Sequence, residues 1–468
     1  MRVYIGPHFL LLATDFNDTI YCMANTYEVI IGGGGMAGCA AAMAAVRSGC
    51  RTLLIEQFGY LGGCATAALV NPFMTHCASD GTPLVAGIFD EINRTLDEAG
   101  GLLSNCFDTE ILMLVLQEMV LGSGAVLRLH TFCDGVSRDD NGDIVVRTVS
   151  KSGEETFRCR RLIDCTGDAD LAVSLGAEFE SGGEDGIPQA ATLMFDVGGV
   201  DIVRALTYVR DNPDQVRFPK LASDVDLNEL ADGVVSVAGY YDLVARARNA
   251  GEYDAPGDLV FYIGRPRRGE VTFNTTHVGN IDGTNADDLT RAEVDGRRQM
   301  ISVVRFARKY LPGFENAYLA RSAAHVGIRE TRRIIGEYKF SGSDVAFARK
   351  FDDAICRLAY PVDVHSGKGE GYTKDEEVAG MQAPGPGDWY EIPYRCLIPK
   401  GIDGVLIAGR CVSSTQAGHG AIRIMPACTA MGEAAGVAAA LSLARGCSPG
   451  QVDPVELRAA LRQRGALV

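Results

Sequence analysis

The sequence predicts an α/β fold in two unequal parts: a sheet domain drawn from two separated stretches of chain, and an α+β insertion between them. Three observations predict it. A β-type run at Glu28–Ile31 leads through a glycine cluster into an alanine-rich helical run, Met36–Arg47, and then into a second β-type run, Thr52–Ile55. Strand, helix and strand in that order make a parallel βαβ unit. Two more short apolar runs end in small-residue turns: Arg161–Asp164 before Thr166-Gly167-Asp168, and Gly404–Ala408 before Gly409-Arg410. Between them the chain turns polar, proline-broken and hairpin-like.

The first element is an extension. Residues 1–22 hold one short apolar stretch, Phe9–Ala13, too short to cross a bilayer. The first strand starts near Tyr27, so Met23 is read as the start and residues 1–23 as having little structural role. The glycine cluster follows. Gly33, Gly35 and Gly38 form G-x-G-x-x-G. The first glycine permits a tight turn, the second lets backbone approach a pyrophosphate, and the third lets helix and strand pack closely. Met36 and Ala37 open the helix, whose free N–H groups and dipole suit phosphate. Ser48-Gly49 closes it. Glu56 ends the second strand, close to the roughly 20-residue spacing at which an acid accepts ribose hydroxyls.

That constellation predicts a dinucleotide site. Beyond Glu56 and Gln57 comes a second glycine pair, Gly62-Gly63, then Thr66. Such a pair lets the chain run close to an extended FAD and has no use in an NAD domain. The next-best glycine run, Gly367–Gly371, leads into no apolar helix. FAD is therefore the expected cofactor, with Cys133 as a further lining candidate.

The insertion reads as follows. Arg210–Gly233 is polar and broken by prolines, Leu243–Val278 is a helix then a β-hairpin, and Arg291–Leu311 is a long amphipathic helix stopped by Pro312-Gly313. Near the end, Pro426 occupies a favoured first helical position. The helix Ala427–Arg445 is almost all small and apolar, so it should be buried. Its N-terminus can favour the flavin pyrimidine region, which becomes negative on reduction. No window is apolar for long enough to be a transmembrane span.

The motifs "EQFGYLGGCATAALV" (56–70), "LIDCTGDADLAVSLGAEFE" (162–180), "IDGTNADDLTRAEVDGRRQM" (281–300), "HVGIRETRRIIGEYKFSGSD" (325–344), "YEIPYRCLIPKGIDGVLIAGR" (390–410) and "GAIRIMPACTAMGEAAG" (420–436) carry a resemblance. Over Tyr27–Gly446 the chain resembles the FAD-dependent oxidoreductase family (FAD-oxidored), itself distantly similar to the succinate dehydrogenase and fumarate reductase flavoproteins. The resemblance implies a discontinuous Rossmann-like FAD-binding domain of the glutathione reductase type. Its parts are expected at 24–190 and 391–446, with a substrate domain at 191–390 and a C-terminal helix or tail at 447–468. It places Thr166, Gly167 and Asp168 on the floor of the nucleotide site. Gly409, Arg410, Gly420 and Arg423 are expected near the cofactor.

A flavin dehydrogenase needs a base for the substrate proton or a cation for the developing oxyanion. His419, between Gly418 and Gly420 in a turn, is the first candidate, weighed against a plain surface histidine. Arg329 would position an oxygen-bearing substrate. Glu330 beside it can be catalytic, or the two can pair and organise the domain junction. His325 would share Arg329's helix face or simply pack, and Tyr394 and Arg395 would border the pocket. Should His419 not be the base, the role passes to Tyr394, His325, His277 or His365. Cys64 follows the second glycine pair, but the partner five residues on that a disulfide reductase needs is Leu69. A covalent flavin link through Cys64 or His76 stays open.

The expected function is a dehydrogenase or oxidase passing hydride from a small oxygenated substrate to flavin N5, a sugar or polyol being one guess from the family's contexts. The alternatives are a flavoenzyme without net redox turnover (isomerase, lyase or hydratase) and the flavin subunit of an electron-transfer assembly. The net charge of −16 disfavours nucleic acid and anionic membrane as partners. The 14 cysteines contain no C-x-x-C, so no metal is expected and the thiols read as reduced and cytoplasmic. Self-association is left open.

Overall fold

The computed structural model describes residues 25–372 and 383–468. The proposed extension and the Met23 start lie outside them. The βαβ unit forms as expected: β1 is Thr26–Gly32, α1 is Met36–Arg47 and β2 is Thr52–Ile55. β1 lies between β2 and the long strand Gly153–Asp164, parallel to both, and Val126–Arg128 adds a parallel strand beyond β2. The far end of Gly153–Asp164 pairs in parallel with Val405–Ile407. Its near end pairs antiparallel with Ile144–Ser150, which pairs with Thr131–Arg138. Both late strands therefore belong to one sheet, and the result is a mixed α/β, Rossmann-like fold. Val29, Ile30 and Ile31 are all buried because both faces of the parallel sheet are covered.

One face is covered by α1 and the helix Met425–Arg445. The two backbones nearly touch. A side chain begun at Gly432 would lie 2.0 Å from the Ala37 carbonyl oxygen, and one at Gly436 would lie 2.5 Å from that of Ala41. Only small residues allow this approach. It also corrects one expectation: by length and composition this helix is apolar enough to cross a membrane. Its packing against α1 explains that apolarity without a bilayer.

Glu433 sits buried on the same helix. Its Oε2 accepts from Ile88 N at 3.1 Å, and its Oε1 finds no partner among the described residues. Burial pushes its carboxyl from 4.5 up to about 7, with the Glu91 charge adding to the rise. A raised pKa means stability that is complete below 4.5 and lost as pH climbs through about 7. Glu433→Gln, which mimics the protonated acid, is expected to match wild type at low pH. At pH 8 it should be more stable by about 3 kcal/mol. Urea midpoints measured across that range check this, and parallel curves for the two proteins would refute it.

The insertion is a six-stranded antiparallel sheet in the order Val216–Phe218, Ser236–Gly239, Val260–Gly264, Val271–Phe273, Phe195–Gly198, Tyr318–Ser322. The hairpin expected within 243–278 is its third and fourth strands. Helices Ile202–Asp211, Tyr241–Asn249 and Ala286–Tyr310 share one apolar core with the sheet, through residues such as Leu206, Val244 and Phe306. The last helix starts earlier than Arg291 because Asn285 caps it, accepting from the N–H groups of Asp287 and Asp288.

The packing places the insertion's end well before the expected residue 390. Its core runs no further than Ala323. Ile334 packs in the cluster that holds Ile30, and Phe340, Ile355 and Leu358 pack in the cluster that holds α1. Ala354–Leu358 pairs with Tyr390–Pro393, which the sequence pattern did not link to it. Where the chain enters the insertion, two neighbouring bridges extend its sheet, Ala191 with Val278 and Thr192 with Gly327; ion pairs of Arg321 with Glu110 and of Arg267 with Asp108 are among the further ties to the rest.

Candidate active site

The three glycines of the turn have different reasons to be glycine. Gly33 has φ +95°, and a Cβ there would lie 2.4 Å from the Cys165 carbonyl oxygen. A Cβ at Gly38 would lie 1.8 Å from the Gly33 carbonyl oxygen. The chain itself demands these two. A Cβ at Gly35 would meet only Gly63 Cα, at 3.9 Å. Gly35 therefore presents an open face, and α1 begins beside it with no side-chain cap and no acid in its first turn. Met36 and Ala37 supply the first N–H groups of that turn.

The second glycine pair is built onto the first turn. Gly62 N donates to Gly34 O at 2.9 Å, and a side chain at Gly63 would lie 3.0 Å from Gly35 Cα. The two loops form one backbone-lined cradle. Glu56 braces it: Oε2 accepts from Gly34 N at 2.6 Å and Oε1 from Phe58 N at 2.8 Å. Burial raises the Glu56 pKa, opposed by these two N–H groups and that of Gln57. Gln57 itself is exposed. Thr66, expected at the cofactor, spends its hydroxyl on the loop, donating to Leu61 O at 2.7 Å. Cys133 lies under the turn, its thiol pushed up by burial and by the Asp164 and Glu56 charges.

Across from the cradle, the Thr166 hydroxyl donates to Asp164 at 2.7 Å, and Gly167 carries Arg410 over its bare face. Asp168 Oδ1 accepts from Arg410 Nη2 at 2.8 Å and from the Thr331 hydroxyl at 2.6 Å. Gly409 has φ +98° and lies close to Ala37. Cys64 joins the two sides. Burial raises its thiol, and Arg410, Asp168 and Arg423 all act on it.

The proposed catalytic residues fare unequally. His419 lies not in a turn but within the helix Gln416–Ile422, fully buried. Burial, then Arg423, Arg333 and Arg410, hold its imidazole neutral, and the Arg410 main chain lies close without forming a well-aligned bond. Its flanking glycines are explained by chain contacts: a side chain at Gly418 would strike Phe340 O at 2.4 Å, and one at Gly420 would strike Asp363 O at 2.7 Å. Glu330 is a buried structural partner. It pairs with the buried Arg333 and accepts from Gln189 N at 3.1 Å and Gln416 Nε2 at 3.0 Å. Tyr394 is buried elsewhere and donates to Pro449 O at 2.8 Å. Arg395 pairs with Asp353 at 2.9 Å. His325 lies on no helix; it stacks on Phe58 at 5.0 Å.

Arg329 does reach a site, and it brings together His277 and His365, the reserve candidates for the base, with Asp363, Tyr360 and Tyr372, which the motif search passed over. It donates to the Ala190 carbonyl at 2.6 Å and to the Thr192 hydroxyl, with Tyr372 beside it. Arg423 Nη2 lies 3.3 Å from Asp363 Oδ2 and 3.2 Å from its main-chain oxygen. Asp363 also holds His365 Nε2 at 3.3 Å and the Tyr360 hydroxyl at 3.0 Å. His365 N donates to Gln189 Oε1 at 3.0 Å. The His277 ring stands 4.7 Å from Tyr372 and 6.1 Å from His365. Burial and Arg329 push His365 down to about 4 and His277 well below its ordinary value. Asp363 is held strongly ionised despite its burial by His365, Arg423 and Arg329. The cluster lies where the insertion meets the sheet domain, and the Arg423 charge is felt at Cys64, next to Gly63 of the cradle.

The comparisons agree with this geometry at the level of family. No curated protein matches the chain. Among solved structures, similar ones include the OxyS anhydrotetracycline hydroxylase of Streptomyces rimosus, at 12% identity and TM-score 0.39, over 94% of this chain and 66% of that one. A geranylgeranyl bacteriochlorophyll reductase-like protein of Thermoplasma acidophilum matches at 12% identity and TM-score 0.41, over 94% and 84%. The flavin-dependent brominase Bmp2 matches at 12% and 0.44, over 94% and 83%. Likenesses this loose carry no argument. The family match does: the model of the FAD dependent oxidoreductases covers residues 28–461, and the chain belongs to that family.

Proposed function

We propose that this FAD-dependent oxidoreductase oxidises a small hydroxyl-bearing substrate bound between Arg329, Arg423 and His277. We propose also that its sheet domain follows the glutathione reductase type, with the distant kinship to succinate dehydrogenase flavoproteins that its motifs suggest. The carrying observation is one lone pair. His277 Nδ1 bonds the Thr275 carbonyl at 3.0 Å, so that nitrogen carries the proton. Nε2 is then a bare acceptor, and it is buried without a partner among the described residues. A substrate hydroxyl satisfies it. The cradle of Gly34, Gly35, Gly62 and Gly63 with the start of α1 would hold the pyrophosphate, and Glu56 the adenosine ribose. Bound FAD would supply the acceptor for the hydride of the substrate C–H bond. The hydroxyl proton passes to His277 Nε2, and a carbonyl group remains.

The test is anaerobic mixing of the yellow protein with hydroxylated metabolites. Bleaching by at least one of them is expected, slowed in a His277→Gln variant that stays yellow. Bleaching reversed by air marks an oxidase, and bleaching reversed only by a dye or quinone marks a dehydrogenase. Product formed with no bleaching at any stage would overturn the reading.

A further inference from the structure

We infer that the junction cluster is built to take a carboxylate, held between the Arg329 and Arg423 guanidiniums, so that the substrate is a small hydroxy acid rather than a neutral polyol. This rests on the placement of the substrate proposed above. Three observations carry it.

The first is charge. Arg410 is matched by Asp168, and Arg333 by Glu330. In the junction cluster, Arg329 and Arg423 share one carboxylate, Asp363. Asp363 is already engaged by three donors: His365, Tyr360 and Arg423. The hydrogen-bond partners of Arg329 are neutral, a carbonyl and two hydroxyl side chains. Among the described residues, one positive charge is left uncompensated in a largely enclosed place, which is costly until an anion arrives.

The second is valence. Arg423 Nε and Gln189 Nε2 are buried donors without acceptors among the described residues, and His277 Nε2 is a buried acceptor without a donor. A hydroxy acid offers what these atoms lack: carboxylate oxygens for the donors and a hydroxyl for the acceptor. A neutral polyol satisfies His277 but brings no charge to the arginines.

The third is coupling. The Arg329 charge, after burial, is what most depresses His277. A carboxylate beside Arg329 offsets that charge and returns basicity to Nε2. The substrate's own anion would then ready the group that takes its proton.

The test separates this inference from the one beneath it. Malonate and succinate, which cannot be oxidised as alcohols, are titrated into the holoenzyme and read by the visible flavin spectrum and by melting temperature. A saturable change is expected, absent with malonamide and succinamide. Arg329→Gln and Arg423→Gln should weaken it by about 10–100-fold, as loss of a hydrogen bond to a charged group does, with partial recovery in Arg→Lys. No response to any carboxylate, an equal response to the amides, or undiminished binding in both variants would overturn the inference. The amide comparison needs only wild-type protein, so it decides even if a variant fails to fold. Anaerobic mixing with malate, tartrate and gluconate against glycerol and glucitol completes the test. Bleaching by acids alone supports the inference. Bleaching by polyols alone overturns it and leaves the hydride reading standing. Carboxylate binding with no bleaching by any compound supports the anion site and removes the hydride reading instead.

Discussion

Gly35→Val is expected to give a folded protein that purifies without colour. Gly35 has φ −67° and ψ −177°, extended backbone open to any residue. A Cβ there has only Gly63 Cα for a neighbour, at 3.9 Å. The protein therefore tolerates a Cβ here and the pyrophosphate does not, because the branched group occupies the face that the phosphates must approach. Gly38→Ala is the control. Its Cβ would lie 1.8 Å from the Gly33 carbonyl oxygen, so it should damage folding as well as binding. Absorbance per mole of protein and circular dichroism together separate the two outcomes. A Gly35→Val protein that stays yellow at full stoichiometry would refute the assignment of the cradle.

Glu330→Ala is expected to lower stability by about 3–5 kcal/mol, the cost of leaving a buried charge without its partner. Arg333 is buried, and besides Glu330 it holds the carbonyls of Ser414 at 3.0 Å and Gly182 at 2.8 Å. Glu330 in turn holds Gln189 and Gln416. Removing the carboxylate strands a guanidinium and two donors where water does not reach. Replacing both partners, as in Glu330→Leu with Arg333→Met, should recover much of the loss, because no charge then remains buried. Urea midpoints of the three proteins decide it. A single variant as stable as wild type would show that the pair is not what holds these segments together.

The parts of this protein that were legible from sequence are those where local chemistry and spacing coincide. The glycine turn, α1, β2 and Glu56 lie within one short stretch, and each residue type has a local reason to be there. The two remote strands could be read because each ends in a small-residue turn. The hairpin Thr131–Ser150 and the return to the sheet domain near residue 332 could not be, since no change in composition marks them. The site failed for a related reason. His277 follows an ordinary strand and His365 an ordinary loop, so the sequence offers them only as reserve candidates, and it marks neither Asp363 nor Tyr360. Asp363 and His365 acquire meaning when the fold brings Arg329 and Arg423 to them. The glycines around His419 illustrate the opposite case. They suggest approach to a planar ligand, whereas the chain at Phe340 and Asp363 already fills that space.

The two bridges at the chain's entry to the insertion sit side by side, at Ala191 and Thr192, and the Arg329 guanidinium rests on Ala190 and Thr192. A graft that replaced the insertion would need only two splices, and both would fall at the edge of the substrate cluster. It would carry away His277 and leave the cofactor cradle and Arg423 untouched. The proton acceptor and the guanidinium pair are thus inherited on separate pieces of chain, and the seam between them is where a designer, or a recombination event, could change the first while keeping the second beside the cofactor cradle.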